Sequence, residues 1–432
     1  MFDLATRAYN HNFKYDAIIR SLLDTDFYKI LMAQFIWKHY PNTTVTFELR
    51  NRTKSVILKN CIDIEELVWQ LDYVKNLKFN ENELIWLAGN TFYGQKNIFC
   101  PDFINALRNL KLTDYKLEVI GDDIRLTFTG DWLSVTLWEI YALSIVNELR
   151  TRFSLTKLNK LELDILYARA KTKIWNDLTT ISWLENLNVS DFGTRRRHSF
   201  LWQEWVINAA ATVLGNKFSG TSNAYLAMKY GLDAKGTNAH ELPMTIAALA
   251  SNDEELKDAQ YKVLRQWEET YKGNLLIALP DTFGTHQFLE NAPDFLNNWS
   301  GFRPDSKNPL DAGYEFINWW KQRGIDYKDK LVLFSDGLNA ENIVKIHKSF
   351  NGQFRVGFGW GTNLTNNFKD CSPRNDVDFK AISLVCKVSE VNGRSAVKMS
   401  DNFEKISGSE EEKNRYIRVF GTEGMTNIPL IV

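Results

Sequence analysis

The stretch NVSDFGTRRRHSFLWQEWVINAAATV (188–213) decides the fold. It begins as a short apolar strand (188–192), continues through a loop of charged and polar residues (193–198), and ends as an apolar-rich helix (199–213). Strands that alternate with helices predict a parallel sheet with helices packed on it. Further strands of this kind are predicted at NKFSG (216–220), NLLIALP (274–280), KLVLFS (330–335) and QFRVGF (353–358).

Each predicted strand runs into a loop of chemically reactive residues. The loops are GTRRRH (193–198), TSN (221–223), DTFGTH (281–286), DGLN (336–339) and GWGTN (359–363), and further helices are predicted at 309–323 and 339–350. An α/β barrel assembles its active site from loops at the carboxyl ends of its strands. We therefore expect an irregular α/β barrel whose active site lies at that end.

A second domain of α+β type is predicted from both ends of the chain. Residues 1–150 contain a predicted helix (21–40) that starts near Ser21 and Asp24, a strand (44–50), a hairpin (116–130) and a long helix (131–150). Two strands joined by Asn392-Gly393, a strong hairpin signal, follow the barrel. We expect residues from about 380 to 432 to complete the first domain, with the barrel, residues 151–379, inserted between its two parts.

The composition excludes several classes of partner. The 432 residues carry a formal net charge of -1 with interspersed charges, so nucleic acid and membrane surfaces are not expected partners. No apolar run reaches the roughly 18 residues of a membrane span, and the amino terminus lacks a signal-peptide pattern. The four cysteines show no metal-ligand spacing, which predicts free thiols and a cytoplasmic location.

Two glycine-containing loops predict a site for a phosphorylated sugar. The segment GFGWGTN (357–363) places several glycines after a strand, where backbone N–H groups can converge on a phosphate, although such loops also serve as plain turns. The neighbouring SDGLN (335–339) adds a carboxylate, Asp336, that can hold sugar hydroxyls or a metal-bound phosphate.

Two arginine-bearing segments predict contacts with anions. Arg195, Arg196 and Arg197 precede a helix, where cations oppose the helix dipole, so at least one of them is expected to face a ligand anion. In GFRPDSKNP (301–309), Arg303 can bind an anion while Asp305 binds hydroxyls or stabilises developing positive charge. The alternative for that pair is a surface salt bridge in a loop.

The segment GTNAHE (236–241) places His240 in a loop beside Glu241 and before a helix. An imidazole of ordinary pKa can act as a base, or as a nucleophile that carries a phosphoryl group. His240, Glu241 and Asp305 form the predicted catalytic group.

Taken in order, several motifs resemble the nicotinate phosphoribosyltransferase family over about residues 20 to 390. The resemblance implies transfer of phosphoribose from 5-phosphoribosyl 1-pyrophosphate (PRPP) to nicotinate, which yields nicotinate mononucleotide and pyrophosphate for NAD salvage. It also implies ATP hydrolysis coupled through a phosphohistidine at His240. The motifs are DTDFYK (24–29), FELR (47–50), DFGTRRRHSF (191–200), FSGTSN (218–223), GTNAHE (236–241), LPDTFGT (279–285), FRPDS (302–306), FSDGLN (334–339) and GFGWGTNLTN (357–366).

The same resemblance implies roles for individual residues. Phe192 and Tyr28 would sandwich the pyridine ring, with Tyr28 supplied by the second subunit of a head-to-tail homodimer that shares its active sites. The other implied contacts are Arg195, Arg303 and Ser222 around the base and nearby phosphates; Asp281, Asp305 and Asp336 for ribose hydroxyls, pyrophosphate and Mg²⁺; Gly359, Gly361 and Thr362 for the 5-phosphate; and Arg50 and Lys387 for pyrophosphate.

Three alternatives are weighed against this assignment. In the related nicotinamide phosphoribosyltransferases, the position that matches Ser222 is an aspartate that receives the amide group, so Ser222 favours nicotinate. A non-catalytic sugar-phosphate-binding barrel would explain the phosphate loops but not GTNAHE and FRPDS beside them. A glycoside hydrolase barrel would use paired carboxylates but has little need of so many arginines.

Overall fold

The computed structural model describes residues 3–10 and 16–427. The strands are β1 Thr44–Asn51, β2 Thr91–Phe92, β3 Gln95–Lys96, β4 Tyr115–Ile120, β5 Asp123–Asp131, β6 Val189–Asp191, β7 Phe218–Thr221, β8 Ile277–Ala278, β9 Gly301–Phe302, β10 Leu331–Phe334, β11 Arg355–Trp360, β12 Leu384–Val391 and β13 Arg394–Ser395.

The helices connect these strands and cover the sheets. They are α1 Leu4–Asn10, α2 Phe27–His39, α3 Ile64–Lys75, α4 Glu81–Gly89, α5 Pro101–Arg108, α6 Trp132–Thr136, α7 Trp138–Leu155, α8 Lys160–Ser182, α9 Phe200–Leu214, α10 Ala224–Tyr230, α11 Glu241–Ala248, α12 Asp253–Tyr271, α13 Thr285–Glu290, α14 Pro309–Gln322, α15 Ala340–Phe350, α16 Thr362–Thr365 and α17 Glu410–Phe420.

Six parallel strands form the barrel sheet in the order β7-β6-β11-β10-β9-β8. The buried strand β10 lies between two neighbours, and its Val332 pairs with Phe302 on one side and Val356 on the other. The five predicted barrel strands are confirmed, each at or beside its predicted position. Strand β9 was not predicted, because its two residues begin the segment 301–309, which was interpreted as a loop and, unlike the segment around β8, has no apolar run.

An irregular segment, residues 233–240, fills the gap between the two outer strands of this sheet, and we call it the closing segment. Its Ala234 forms a parallel bridge with Thr221 of β7. The side-chain amide of Asn238 donates a hydrogen bond to the carbonyl oxygen of Ile277 in β8 (3.4 Å). The architecture is therefore the irregular α/β barrel that the strand-loop-helix pattern predicted.

A second sheet joins the two ends of the chain. Its antiparallel strands lie in the order β13-β12-β1-β5-β4, so β1 from the amino-terminal part pairs with β12 from the carboxyl-terminal part. This pairing confirms that the tail packs back on the amino-terminal sheet. The domain boundaries near residues 150 and 380 stay predictions.

The predicted helix at 21–40 begins later than expected. Helix α2 starts at Phe27, and the two residues predicted to cap it have other partners. Asp24 binds Arg197 of the barrel (2.6 and 2.7 Å), and the Ser21 hydroxyl donates to Glu83 of α4 (2.5 Å). Short polar side chains cap helices through local bonds, and the sequence alone does not reveal that distant partners compete for them.

Helix α7 connects the two sheets and is buried on almost every side. It packs against β12, and its Ser144 hydroxyl donates to the carbonyl oxygen of Thr194 in the loop after β6 (3.0 Å). This contact fixes the loop that carries the three arginines. In the part of the chain that the structure describes, no helix has both the length and the apolarity required to cross a membrane. The four cysteines are free thiols, as predicted.

Candidate active site

A cavity of about 1470 Å³, counted together with the solvent space at its opening, lies at the carboxyl ends of the barrel strands. The antiparallel sheet forms its other wall, which includes Arg52 and Lys387. Most residues that the sequence nominated line this cavity together. These residues are Tyr28, Phe192, Arg195, His240, Glu241, Arg303, Asp305, Asp336, Gly361, Thr362 and Lys387.

His240 lies immediately before α11 and is held from three directions. Its Nδ1 lies 2.9 Å from the hydroxyl oxygen of Thr282, and its Nε2 lies 3.1 Å from Asp305 Oδ2 and 2.9 Å from Lys398 Nζ. Burial, helped by the charge of Lys398, lowers the pKa of His240 to about 4. At neutral pH the imidazole is therefore uncharged, and one ring nitrogen keeps a lone pair for nucleophilic attack.

The carboxylate of Asp305 stays ionised beside this imidazole. Burial alone would raise the pKa of Asp305. The hydrogen bond with His240 and the positive charges of Arg303 and Lys398 have the opposite and larger effect, so the pKa lies well below its usual range. An ionised carboxylate at the mouth of a barrel can stabilise positive charge that develops on a bound sugar.

Asp281 lies behind His240 and is fully buried. Its Oδ2 accepts a hydrogen bond from the Ser306 hydroxyl (2.6 Å) and lies 3.7 Å from His240 Nε2. Among the described residues, no donor reaches its Oδ1, which is also buried. This orphaned oxygen can accept a further partner, such as a cation or a ligand hydroxyl.

Two lysines that sequence reasoning missed complete the cluster. Lys398 contacts His240, and Lys405 Nζ donates to Asp336 Oδ2 (2.8 Å) and to the carbonyl oxygen of Asp305 (2.9 Å). Both belong to a carboxyl-terminal segment that an antiparallel bridge between Lys398 and Ser407 folds back on itself. No motif surrounds either lysine, so only the tertiary contact identifies them.

The three consecutive arginines have three different environments. Arg195 lines the cavity with its side chain 46% exposed, and its nearest carboxylates, Glu139 and Asp26, lie at 3.5 and 3.8 Å. Arg196 also lines the cavity, and its Nε donates to the carbonyl oxygen of Leu384 (3.0 Å). Arg197 is fully buried and binds Asp24 through two hydrogen bonds. The first two can reach a ligand, whereas Arg197 is structural.

The aromatic residues nominated for the base lie at the same cavity. Phe192 leaves β6 and packs against Gly359 of β11, where an added Cβ atom would lie 2.3 Å from the ring of Phe192. Gly359 therefore supports Phe192 and does not itself line the cavity. Tyr28 of the same chain reaches the cavity from α2.

Known proteins resemble this chain in both sequence and structure. Residues 187–423 match the Nicotinate phosphoribosyltransferase (NAPRTase) family, and residues 23–147 match the N-terminal domain of that family. The chain belongs to the nicotinate phosphoribosyltransferase family. It is therefore an enzyme of NAD biosynthesis.

Solved structures agree with this assignment over nearly the whole chain. A nicotinate phosphoribosyltransferase from Vibrio cholerae is 29% identical with a TM-score of 0.84, and the match covers 95% of this chain and 96% of that one. A nicotinate phosphoribosyltransferase from Porphyromonas gingivalis is 25% identical with a TM-score of 0.80, covering 94% and 100%. The two-domain architecture is thus shared with these enzymes.

Four residues nominated from the family resemblance do not line the cavity of this chain. Gly359 and Asp281 lie directly behind cavity residues, as described above. Arg50 lies on β1 and forms an exposed ion pair with Glu48 (2.7 Å), whereas Arg52, just beyond the same strand, lines the cavity. Ser222 is buried, and its hydroxyl donates to Asp26 Oδ1 (2.6 Å).

Glu241 lies at the cavity wall, but both of its carboxylate oxygens already accept hydrogen bonds from neighbouring side chains. They accept hydrogen bonds from Lys29, from the Trp132 indole (2.6 Å) and from the Thr136 hydroxyl (2.7 Å). Lys29 is fully buried and also binds Glu139 (2.6 Å). The predicted catalytic role of Glu241 therefore finds no support in this geometry, which instead fixes the first turn of α11 against α2.

Proposed function

We propose that this cavity joins nicotinate to PRPP with release of pyrophosphate, and that ATP hydrolysis assists the reaction through phosphorylation of His240. The observation that carries the proposal is the contact of the His240 imidazole with Asp305 and Lys398. That group lies in the same cavity as the aromatic pair Tyr28 and Phe192.

The charge of the cavity suits anionic substrates. Among the described residues, seven arginines and lysines but only four carboxylates line it. Burial, together with the charges of Lys398 and Arg52, lowers the pKa of Lys387 well below its usual value. Clustered cations repel one another, so a bound phosphate or pyrophosphate would relieve that repulsion.

The chemistry follows from where charge develops. The bond between C1 of the ribose and the pyrophosphate oxygen breaks, and its electron pair leaves with pyrophosphate, next to the cations of the cavity. The ribose becomes oxocarbenium-like, and the ionised Asp305 can stabilise that positive charge. The ring nitrogen of nicotinate then forms the new bond to C1 with its own lone pair. No base is needed, because this nitrogen carries no proton.

His240 is better suited to carry a phosphoryl group than to act as a base. A lone pair of its imidazole attacks the γ-phosphorus of ATP, the bond to the bridging oxygen breaks, and ADP leaves with that electron pair. Water later attacks the same phosphorus atom, and the bond between phosphorus and the ring nitrogen breaks. Its electron pair returns to the imidazole, and phosphate leaves. Lys398 lies where it can balance the charge of the phosphoryl group.

We also propose Mg²⁺ as the metal that accompanies these phosphates. Its preferred ligands are oxygens, and the orphaned Oδ1 of Asp281 and the ionised carboxylate of Asp305 fit that preference. These two residues would hold the ion, which would neutralise charge on pyrophosphate. The third group near them is the imidazole of His240, a poorer ligand for Mg²⁺.

A cytoplasmic homodimer with shared active sites completes the proposal. The family resemblance supports the homodimer, and the free thiols support the cytoplasmic location. Tyr28 lines the cavity of its own chain, so this geometry does not support the expectation that the second subunit supplies it.

Ser222→Asp tests the choice of nicotinate as the base. The Ser222 hydroxyl donates a hydrogen bond to Asp26, and Asp26 lies 3.8 Å from Arg195. A carboxylate at position 222 would therefore add negative charge near Arg195, which lines the cavity. We expect the ratio of kcat/KM for nicotinate to that for nicotinamide to fall at least about tenfold. Steady-state rates with each base measure the ratio.

Ser222→Asn is the matched control, because it has the same shape without the charge. It should change the ratio of kcat/KM values much less than Ser222→Asp does. An unchanged preference in folded Ser222→Asp protein would count against nicotinate selectivity through this contact.

A further inference from the structure

A tyrosine outside the cavity holds the closing segment that carries His240. Tyr93 lies in the turn between β2 and β3, and its hydroxyl bonds to both polar groups of one residue, Gly236. It accepts a hydrogen bond from the Gly236 N–H (2.5 Å) and donates one to the Gly236 carbonyl oxygen (2.6 Å). Tyr93 is not among the residues that line the cavity.

The opposite side of Gly236 packs closely against Tyr28, the tyrosine proposed to bind the base. An added Cβ atom at Gly236 would lie 2.6 Å from the backbone nitrogen of Tyr28 and 2.9 Å from its Cβ. The closing segment therefore packs directly on Tyr28, and the Tyr93 hydroxyl holds it there.

The rest of this segment touches other parts of the site. The carbonyl oxygen of Asn238 accepts a hydrogen bond from Arg303 Nη2 (2.8 Å), and His240 ends the segment. Glu241, the next residue, binds Lys29, which follows Tyr28 in sequence. The residues around His240 therefore make three contacts with the rest of the site. Gly236 packs on Tyr28, Glu241 binds Lys29, and Asn238 binds Arg303.

We propose that Tyr93 is a positioning residue that couples the phosphorylation of His240 to the binding of nicotinate. This inference rests on the proposed ATP coupling. A phosphoryl group adds charge and volume at His240, whose Nε2 already contacts Asp305 and Lys398, so we expect the closing segment to shift when the group is added. While the Tyr93 hydroxyl is bonded to Gly236, a shift of His240 must also move Tyr28 and Arg303, which contact the closing segment. Without those hydrogen bonds, the closing segment can move without moving Tyr28 and Arg303.

The test is Tyr93→Phe, which keeps the ring and removes only the hydroxyl. Nicotinate mononucleotide formation is measured over a range of nicotinate concentrations, with and without ATP. We expect the ATP-independent kcat/KM to stay within about twofold of the wild type. We expect the ATP-induced increase in kcat/KM to fall at least about fivefold, because fivefold corresponds to one net hydrogen bond and the variant loses two.

Tyr115→Phe is the matched control. Its hydroxyl donates to Asp72 Oδ1 (2.9 Å) in an exposed setting away from the cavity, so ATP should stimulate this variant as it does the wild type. Gly236→Ala probes the other side of the contact, since its methyl group forces the segment away from Tyr28. It should also lose ATP stimulation, which supports the proposal independently of Tyr93.

The outcomes separate this inference from the proposed function. An ATP-stimulated wild type with an equally stimulated Tyr93→Phe variant overturns the coupling role of Tyr93 alone. An equal loss of ATP-independent and ATP-dependent rates in Tyr93→Phe also overturns it, because a purely structural contact would have that effect. A wild type that forms product without responding to ATP overturns the proposed ATP coupling, and this inference with it.

Discussion

Replacing His240 with alanine is expected to abolish the stimulation by ATP while leaving a slow, ATP-independent synthesis of nicotinate mononucleotide. The reason is chemical: nicotinate attacks C1 without a base, so the transfer step itself does not need the imidazole. The phosphoryl carrier, however, has no substitute nearby. Thr282 and Asp305, which contact the ring, are not comparable nucleophiles toward ATP at neutral pH.

Initial rates with and without ATP measure this effect, and transfer of the γ-phosphoryl group of labelled ATP to the protein provides a second measurement. The wild type should carry the label and His240→Ala should not. His286→Ala is the matched control, since His286 is partly exposed and its nearest carboxylate is Glu423 (3.7 Å). Total loss of ATP-independent turnover in folded His240→Ala protein would contradict this division of roles.

The second large effect concerns stability. Arg197→Met is expected to lower the free energy of unfolding by about 3 to 5 kcal/mol, the cost typical of removing one partner from a buried ion pair. Arg197 is fully buried and holds Asp24 with two hydrogen bonds, and its Nη1 also bonds to Gln203 (3.2 Å). Without the guanidinium, the carboxylate of Asp24 remains buried without its cation.

Arg195→Met is the matched control, two positions away in the same loop. Its side chain is 46% exposed, so its loss should change stability by less than about 1 kcal/mol. It should instead raise KM for nicotinate, because Arg195 lines the cavity. Chemical unfolding curves and steady-state kinetics measure the two effects. Equal stability of the two variants would contradict the structural role of Arg197.

The three arginines also show how far sequence reasoning reaches. The pattern of strand, loop and helix predicted where they lie, and the dipole argument predicted that at least one faces an anion. Sequence reasoning could not tell which arginine faces the ligand and which is structural. A 3-10 turn over Thr194–Arg196 directs neighbouring side chains to different sides of the loop. Arg197 points inward to Asp24, a residue that precedes it by 173 positions.

Long-range contacts explain most of the other differences. Lys398 and Lys405 reach the site only because the carboxyl-terminal segment folds back over the barrel, and neither lies in a recognisable motif. Ser222 lies in a predicted binding loop, yet its hydroxyl is occupied by Asp26. In contrast, the barrel, the two hairpins of the antiparallel sheet and the position of His240 depend on local patterns, and these were predicted from the sequence.

One measurement tests the central claim most directly: the products formed by purified protein from PRPP and Mg²⁺ with nicotinate or nicotinamide, each with and without ATP. We predict nicotinate mononucleotide and pyrophosphate in equal amounts from nicotinate, with more product when ATP is present, and little or no product from nicotinamide. Product from nicotinamide alone, or no release of pyrophosphate with either base, would contradict this account.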